Sequence, residues 1–173
     1  GTDKTALALE IVRSRDFISR FIQTNNALVP LMAAKGWDIS SGELIIDKDS
    51  YSDGGWVREV EPPKQAEPSQ QEAYEEFINI LSVSQNKENG MVTLSIEHVS
   101  PVIAQQWVSS MVAQLNDYMK QRDMAEAEKS LQYLEKKLQQ TQIEELRQAL
   151  YQLIEEQTKT LMLTQVSDEY VFK

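Results

Sequence analysis

Residues 100–142 read SPVIAQQWVSSMVAQLNDYMKQRDMAEAEKSLQYLEKKLQQTQ, and beyond Pro101 neither proline nor glycine occurs again up to Lys173. Ser100 offers a side-chain oxygen to the free N–H groups of a helix start. Pro101 falls at the first helical position, where its fixed φ suits the helix and its missing N–H costs nothing. Ile103, Trp107, Val108, Met111, Val112, Leu115 and Met119 then recur at helical spacing, followed by a thinner stripe of Met124, Ala127, Leu131, Leu134 and Leu138. A helix from 101 to about 140 would be roughly 60 Å long, more than a compact body of this chain length can cover, so a second element has to lie along it. Gln139, Gln140, Thr141 and Gln142 interrupt the stripe, and Ile143, Leu146, Leu150, Leu153, Ile154, Leu161 and Leu163 resume it. The expectation is an antiparallel helical hairpin over 101–168 with its turn near Thr141. The alternative is a single uninterrupted rod in a coiled coil, against which stands the lack of a sustained strict heptad.

Upstream the pattern is different in kind. Thr2 and Asp3 open a periodic segment that includes Val12, Phe17, Ile18, Phe21 and Ile22, which predicts a helix over 3–24 ended by Asn25, Asn26 and Pro30. From Leu28 to Glu61, short apolar runs are divided by Gly36, Gly42, Asp53, Gly54 and Gly55, which predicts irregular structure with short strands at 43–46 and 56–60. Pro62, Pro63 and Pro68 make an extended connector, and Ser69 with Glu72 opens a short helix through Tyr74, Phe77 and Ile78. Residues 81–84 and 91–98 read as a β-hairpin, with Val92, Leu94 and Ile96 on its covered face, and Glu169–Lys173 reads as a strand returning to it. The fold class is therefore α+β. It comprises a small α/β base with a mixed sheet, built from residues 1–100 and the returning strand 169–173, plus a long protruding helical hairpin.

Composition narrows the function. A formal charge of -10 on 173 residues argues against nucleic acid as partner, because phosphate binding needs clustered cations. The absence of cysteine excludes a disulfide framework and thiolate chemistry. No stretch reaches the roughly 18–20 apolar residues needed to cross a bilayer, and Gly1 stands where a natural start would carry Met, so a soluble piece of a membrane protein is one expectation. His98 is the only histidine, and its place between a strand and a helix cap favours a structural role. The pairs Glu144–Glu145 and Glu155–Glu156 point about 100° apart on a helix and cannot converge on one bond. Asp47, Asp49 and Asp53 lack the glycine and final glutamate of a calcium loop. Gly42 and Gly54–Gly55 lack the setting of a phosphate loop. Trp107 reads as core, and Trp37 and Trp56 as packing residues rather than sugar platforms. No catalytic residue, metal or cofactor is expected.

The run Tyr151-Gln152-Leu153-Ile154-Glu155-Glu156-Gln157-Thr158-Lys159-Thr160, followed by Glu169-Tyr170-Val171-Phe172-Lys173, closely resembles the Wzz-type polysaccharide chain-length determinant family, the polysaccharide co-polymerases. The likeness extends to Val29-Pro30-Leu31-Met32-Ala33, to Lys35-Gly36-Trp37, to Pro63-Lys64 through Glu75-Glu76-Phe77, and to Ser100-Pro101 through Asn116. It implies a periplasmic domain of a bacterial inner-membrane protein, flanked by two membrane helices that these residues do not include. It also implies a base near the membrane, a long helical projection, and assembly of identical protomers into a ring. Family members begin with a membrane helix and a strand before the position of Thr2, and continue into a Pro-rich segment after that of Lys173, so a fragment of such a protein is expected.

The resulting expectation is a non-enzymatic regulator of surface polysaccharide chain length, of the O-antigen lipopolysaccharide type. It would act as an oligomeric scaffold on a membrane polymerase or its lipid-linked glycan, without nucleic acid. Gln140, Thr141, Gln142, Ile143 and Leu146, at the hairpin turn, are the candidate oligomer or length-tuning surface. Two other classes compete: a coiled-coil adaptor that presents the hairpin to a partner helix, and a glycan-cleaving enzyme, which would need two carboxylates about 5–9.5 Å apart across a cleft.

Overall fold

The computed structural model describes residues 2–167, so the strand expected over 169–173 lies outside the described residues. The chain divides into two compact units, Gly1–Met111 and Val112–Lys173.

In the first unit the helix expected over 3–24 is two helices, α1 (Thr2–Val12) and α2 (Arg15–Thr24). Ser14 makes the break. Its Oγ accepts the Phe17 N–H at 3.2 Å and donates to the Ile11 carbonyl at 2.7 Å, so the hydroxyl starts a new helix where the apolar periodicity alone would continue the old one. The region expected to be irregular holds a short helix, α3 (Leu28–Met32), and a strand, β1 (Ala34–Trp37), that the reading did not include. β1 pairs antiparallel with β2 (Leu44–Ile46), and β3 (Tyr51–Ser52) with β4 (Gly55–Trp56). Asp53 and Gly54, both at positive φ (51° and 77°), form the tight turn of the latter hairpin. The strand expected over 56–60 stops at Trp56.

Arg58 fixes the connector that follows. Its Nε donates to the Ala66 carbonyl at 2.8 Å, Nη2 to the Gln65 carbonyl at 2.9 Å, and Nη1 to Glu72 Oε2 at 2.8 Å. Glu72 belongs to α4 (Gln70–Ile80), where it completes a capping box with Ser69. β5 (Leu81–Gln85) follows at once and pairs antiparallel with β6 (Val92–Ile96), Leu81 opposite Ile96 and Gln85 opposite Val92. The expected mixed sheet is, among the described residues, three separate two-stranded antiparallel ladders. Each strand is only two to five residues long and is closed onto its sequence neighbour by a turn rich in Gly, Asn or Asp, which leaves no parallel crossover.

The core of this unit is aromatic. Phe17, Ile18, Phe21 and Ile22 of α2 turn inward with Ala73 and Phe77 of α4, Ile96 of β6, and Trp107 and Met111 of α5 (Pro101–Gln140). The ring centroids of Phe21 and Phe77 are 5.3 Å apart, those of Phe77 and Trp107 6.0 Å, and those of Phe21 and Trp107 6.4 Å. Three tilted or edge-on rings in mutual contact add about 0.5–1.5 kcal/mol per pair beyond their burial.

The second unit is a helical hairpin. α5 continues to Gln140, residues 141–143 form the link, and α6 runs Glu144–Gln165, so the reversal falls where the sequence placed it.

Candidate interaction surface: the hairpin turn and its flanks

The turn is built by polar side chains that terminate α5. Thr141 Oγ1 donates back to the Lys137 carbonyl at 2.7 Å, and Ile143, at the N-cap of α6, is extended and makes no side-chain cap bond. Glu144 and Glu145 occupy the first turn of α6, where carboxylates suit the positive end of the helix dipole. Arg147 reaches across to donate from Nη1 to the Leu138 carbonyl at 2.9 Å and the Thr141 carbonyl at 3.1 Å. The five candidate residues therefore come together at one place. Gln140 ends α5, Thr141 and Gln142 make the link, and Ile143 and Leu146 open α6 with 61% and 53% of their surfaces exposed. Exposed aliphatic side chains beside carboxylates perform no acid–base or nucleophilic step. They are equipped for contact.

Below the turn a heptad governs packing. From Lys120 onward the covered or half-covered residues of α5 are Lys120, Asp123, Met124, Ala127, Ser130, Leu131, Leu134 and Leu138, and those of α6 are Arg147, Leu150, Ile154, Gln157, Leu161 and Thr164. The α6 set and, within the α5 set, Lys120, Asp123, Ala127, Ser130 and Leu134 recur in alternating steps of three and four, with Met124, Leu131 and Leu138 beside them. The repeat is only partly visible in the sequence, because Lys120, Asp123, Ser130, Arg147, Gln157 and Thr164 are polar. At the far end Lys120 Nζ donates to the Gln165 carbonyl at 2.8 Å and the Ser167 carbonyl at 3.0 Å. Each helix thus has the carbonyls at its C-terminal end bound by a cation from the other, Arg147 for α5 and Lys120 for α6.

The seam separates two unlike flanks. On one, Tyr133 of α5 faces Leu153 of α6 over a groove of about 560 Å³, also lined by Glu126, Lys129 and Leu134. Arg122, Lys129 and Lys136, seven residues apart, border it. The opposite flank exposes Tyr151 beside the half-covered Met124, Leu131 and Leu138, and is bordered by Glu128, Glu135 and Glu155, the last paired with Lys159. Sequence reasoning centred on the turn missed both flanks. The signal was the heptad phase, which assigns each exposed residue to a side once the seam is known.

The other residues singled out by type are engaged locally. The Ser100 N–H donates to His98 Nδ1 at 2.9 Å, so the neutral ring carries its proton on Nε2 and donates it to the Pro30 carbonyl at 2.8 Å. The imidazole also stands edge-on to Trp107 at 5.0 Å. Replacing His98 with Phe is expected to cost about 2 kcal/mol in urea unfolding, because two partly buried backbone groups lose their partner. A cost below about 0.5 kcal/mol would show that water replaces the ring. Asp47 accepts from the Asp49 N–H at 3.0 Å and the Ser50 hydroxyl at 3.3 Å, an ordinary turn. Glu144, Glu145, Glu155 and Glu156 are exposed, and Glu155 pairs with Lys159 at 3.2 Å. Trp56 packs edge-on to Tyr51 at 5.1 Å. Among the described residues no group of His, Cys, Asp or Glu side chains is placed to hold a metal ion. A cavity of about 380 Å³ between α2 and the start of α4 is lined by Ser19, Gln23, Asn26, Glu67 and Gln70 with Ile22 and Leu28.

No family model, curated protein or solved structure matches the chain.

Proposed function

We propose that this chain is the periplasmic part of a bacterial inner-membrane regulator of surface polysaccharide chain length, of the O-antigen lipopolysaccharide type. Identical copies form a ring-like scaffold that acts on a membrane polymerase or on its lipid-linked glycan, and geometry rather than bond chemistry sets the length. The observation that carries the reading is the hairpin turn. Ile143 and Leu146 stand exposed at the end of a helical pair whose α5 arm spans 40 residues, in a chain bearing the set of motifs that resembles the chain-length determinants. No helix among the described residues is long and apolar enough to cross a membrane, so attachment would come from flanking segments.

The test is a sugar ladder. The full-length gene is placed in a bacterium lacking its own regulator, and the surface polysaccharide is resolved by size. The expected result is a change from a broad, short-weighted distribution to a defined modal length. Ile143→Asn with Leu146→Asn is expected to displace or broaden that mode without lowering protein level, since both side chains are exposed. An unchanged ladder, with the protein expressed and inserted in a host whose glycan it should handle, would defeat the proposal.

A coiled-coil adaptor is the second reading, favoured by the groove between Tyr133 and Leu153, which has the dimensions of an apolar site. A full-length gene without membrane helices would select it.

A further inference from the structure

The cavity between α2 and the start of α4 is lined by polar side chains that the fold itself does not use. Gln23 and Asn26 line it at the C-terminal end of α2, Glu67 from the connector, and Gln70 from the first residue of α4. All four are exposed, and among the described residues none of their side chains has a protein partner. Their immediate neighbours behave differently. Asn25 Nδ2 donates to the Phe21 carbonyl at 2.9 Å, and Gln71 Nε2 to Glu75 Oε1 at 2.8 Å. Ser19, at the wall of the same cavity, has its Oγ buried without a hydrogen-bond partner, a state that costs free energy until a donor or acceptor reaches it. The buried Ile22, Pro68 and Ala73 supply the apolar part of the lining.

We infer that this cavity binds a neutral pyranose, the six-membered ring of a sugar residue. Its volume of about 380 Å³ falls at the lower end of the range for small-molecule sites. A primary carboxamide carries two N–H donors and a carbonyl acceptor, so Gln23, Asn26 and Gln70 can each donate to one ring hydroxyl and accept from the next. The C–H faces of the ring have the aliphatic lining to rest on. Glu67 is the charged residue of the lining, and no lysine or arginine accompanies it among the described residues, so an acidic sugar or a phosphate is disfavoured. A wholly apolar ligand would strip water from the carboxamides and pair none of them. The inference deepens the reading above and rests on it for the source of the sugar, a residue of the glycan chain. What it adds is a glycan contact in the first unit, apart from the hairpin turn.

The full chain, isotopically labelled, is titrated with the methyl glycosides of glucose, galactose and mannose, whose blocked anomeric carbons imitate a residue within a chain. The side-chain amide signals are followed by NMR. Saturable shifts centred on Gln23, Asn26 and Gln70 are expected with at least one of the three, at a Kd of about 1 mM. Gln23→Ala, Asn26→Gly and Gln70→Ala together are expected to weaken binding about tenfold or more, read by saturation transfer to the sugar. Asn26 stands at a φ of 49°, which glycine keeps without strain, and all three residues are exposed, so the unfolding midpoint should stay in place. Methyl glucuronide is expected to bind about threefold or more weakly than methyl glucoside, because its carboxylate meets Glu67. No saturable shift up to about 100 mM of any glycoside would overturn the inference. So would undiminished binding by the triple variant, or equal affinity for the glucuronide. Polysaccharide released from the cell surface should move the same three signals. Binding of the free glycosides alone would leave the sugar site standing and cut its tie to the glycan. Sugar binding alongside an unchanged polysaccharide ladder would defeat the proposed function and leave this site standing. A defined modal length without sugar binding would do the reverse.

Discussion

Phe77→Ala is expected to lower the unfolding free energy by about 3–5 kcal/mol, the largest effect of any single substitution considered. Phe77 is fully buried on α4 and lies 5.3 Å from Phe21 and 6.0 Å from Trp107. Truncation removes the transfer energy of the ring, opens a cavity, and breaks two ring contacts at once. Denaturant unfolding followed by tryptophan fluorescence reads the result directly, because Trp107 borders the hole. A midpoint shift worth under about 1.5 kcal/mol would mean that the surrounding chain collapses into the space. Phe77→Leu keeps much of the volume and is expected to cost about half as much or less.

Arg58→Met should cost about 2–3 kcal/mol, somewhat under the range for a fully buried ion pair because solvent still reaches 16% of the arginine and 18% of the Glu72 side chain. The substitution leaves the Ala66 and Gln65 carbonyls and the Glu72 carboxylate without their donor, and the proline-containing connector loses its anchor to α4. The pH profile supplies a second readout. Chiefly through the hydrogen bond from Arg58, and against the opposing effect of burial, the Glu72 carboxyl is held below its ordinary value of 4.5. A depressed carboxyl contributes stability that is present above the unfolded value and lost as pH falls through the folded one. The parent chain should therefore lose stability more steeply below about pH 4.5 than either Arg58→Met or Glu72→Gln. Equal acid slopes in all three would show that the pair does not couple to folding.

The long helix and its reversal were legible because Pro101 and the polar run at 139–142 punctuate an otherwise unbroken periodic stretch. The start of α4 was legible because Ser69 and Glu72 form a cap whose chemistry is local. Where the reading failed, a competing local bond had decided the outcome. Ser14 split one periodic helix into two, and β1 was missed because Ala34-Lys35-Gly36-Trp37 has little strand character of its own and is held by pairing with β2. The turn residues could be placed from sequence alone, since a chain reversal exposes its own tip. The flanks could not, because the apolar stripe from Met124 to Leu138 does not reveal that the polar Lys120, Asp123, Ser130, Arg147 and Gln157 are also half-covered.

The clasps formed by Lys120 and Arg147 make the hairpin a measured object. Both must close for the seam between them to stay in step, so a length change confined to α5 or α6 would misalign one cation with the carbonyls it serves. Seven residues removed from each helix together would preserve both clasps and the phase of every flank residue. The hairpin can therefore grow or shrink only by matched repeats, in increments of about 10 Å, like a ruler cut at its graduations and nowhere between them.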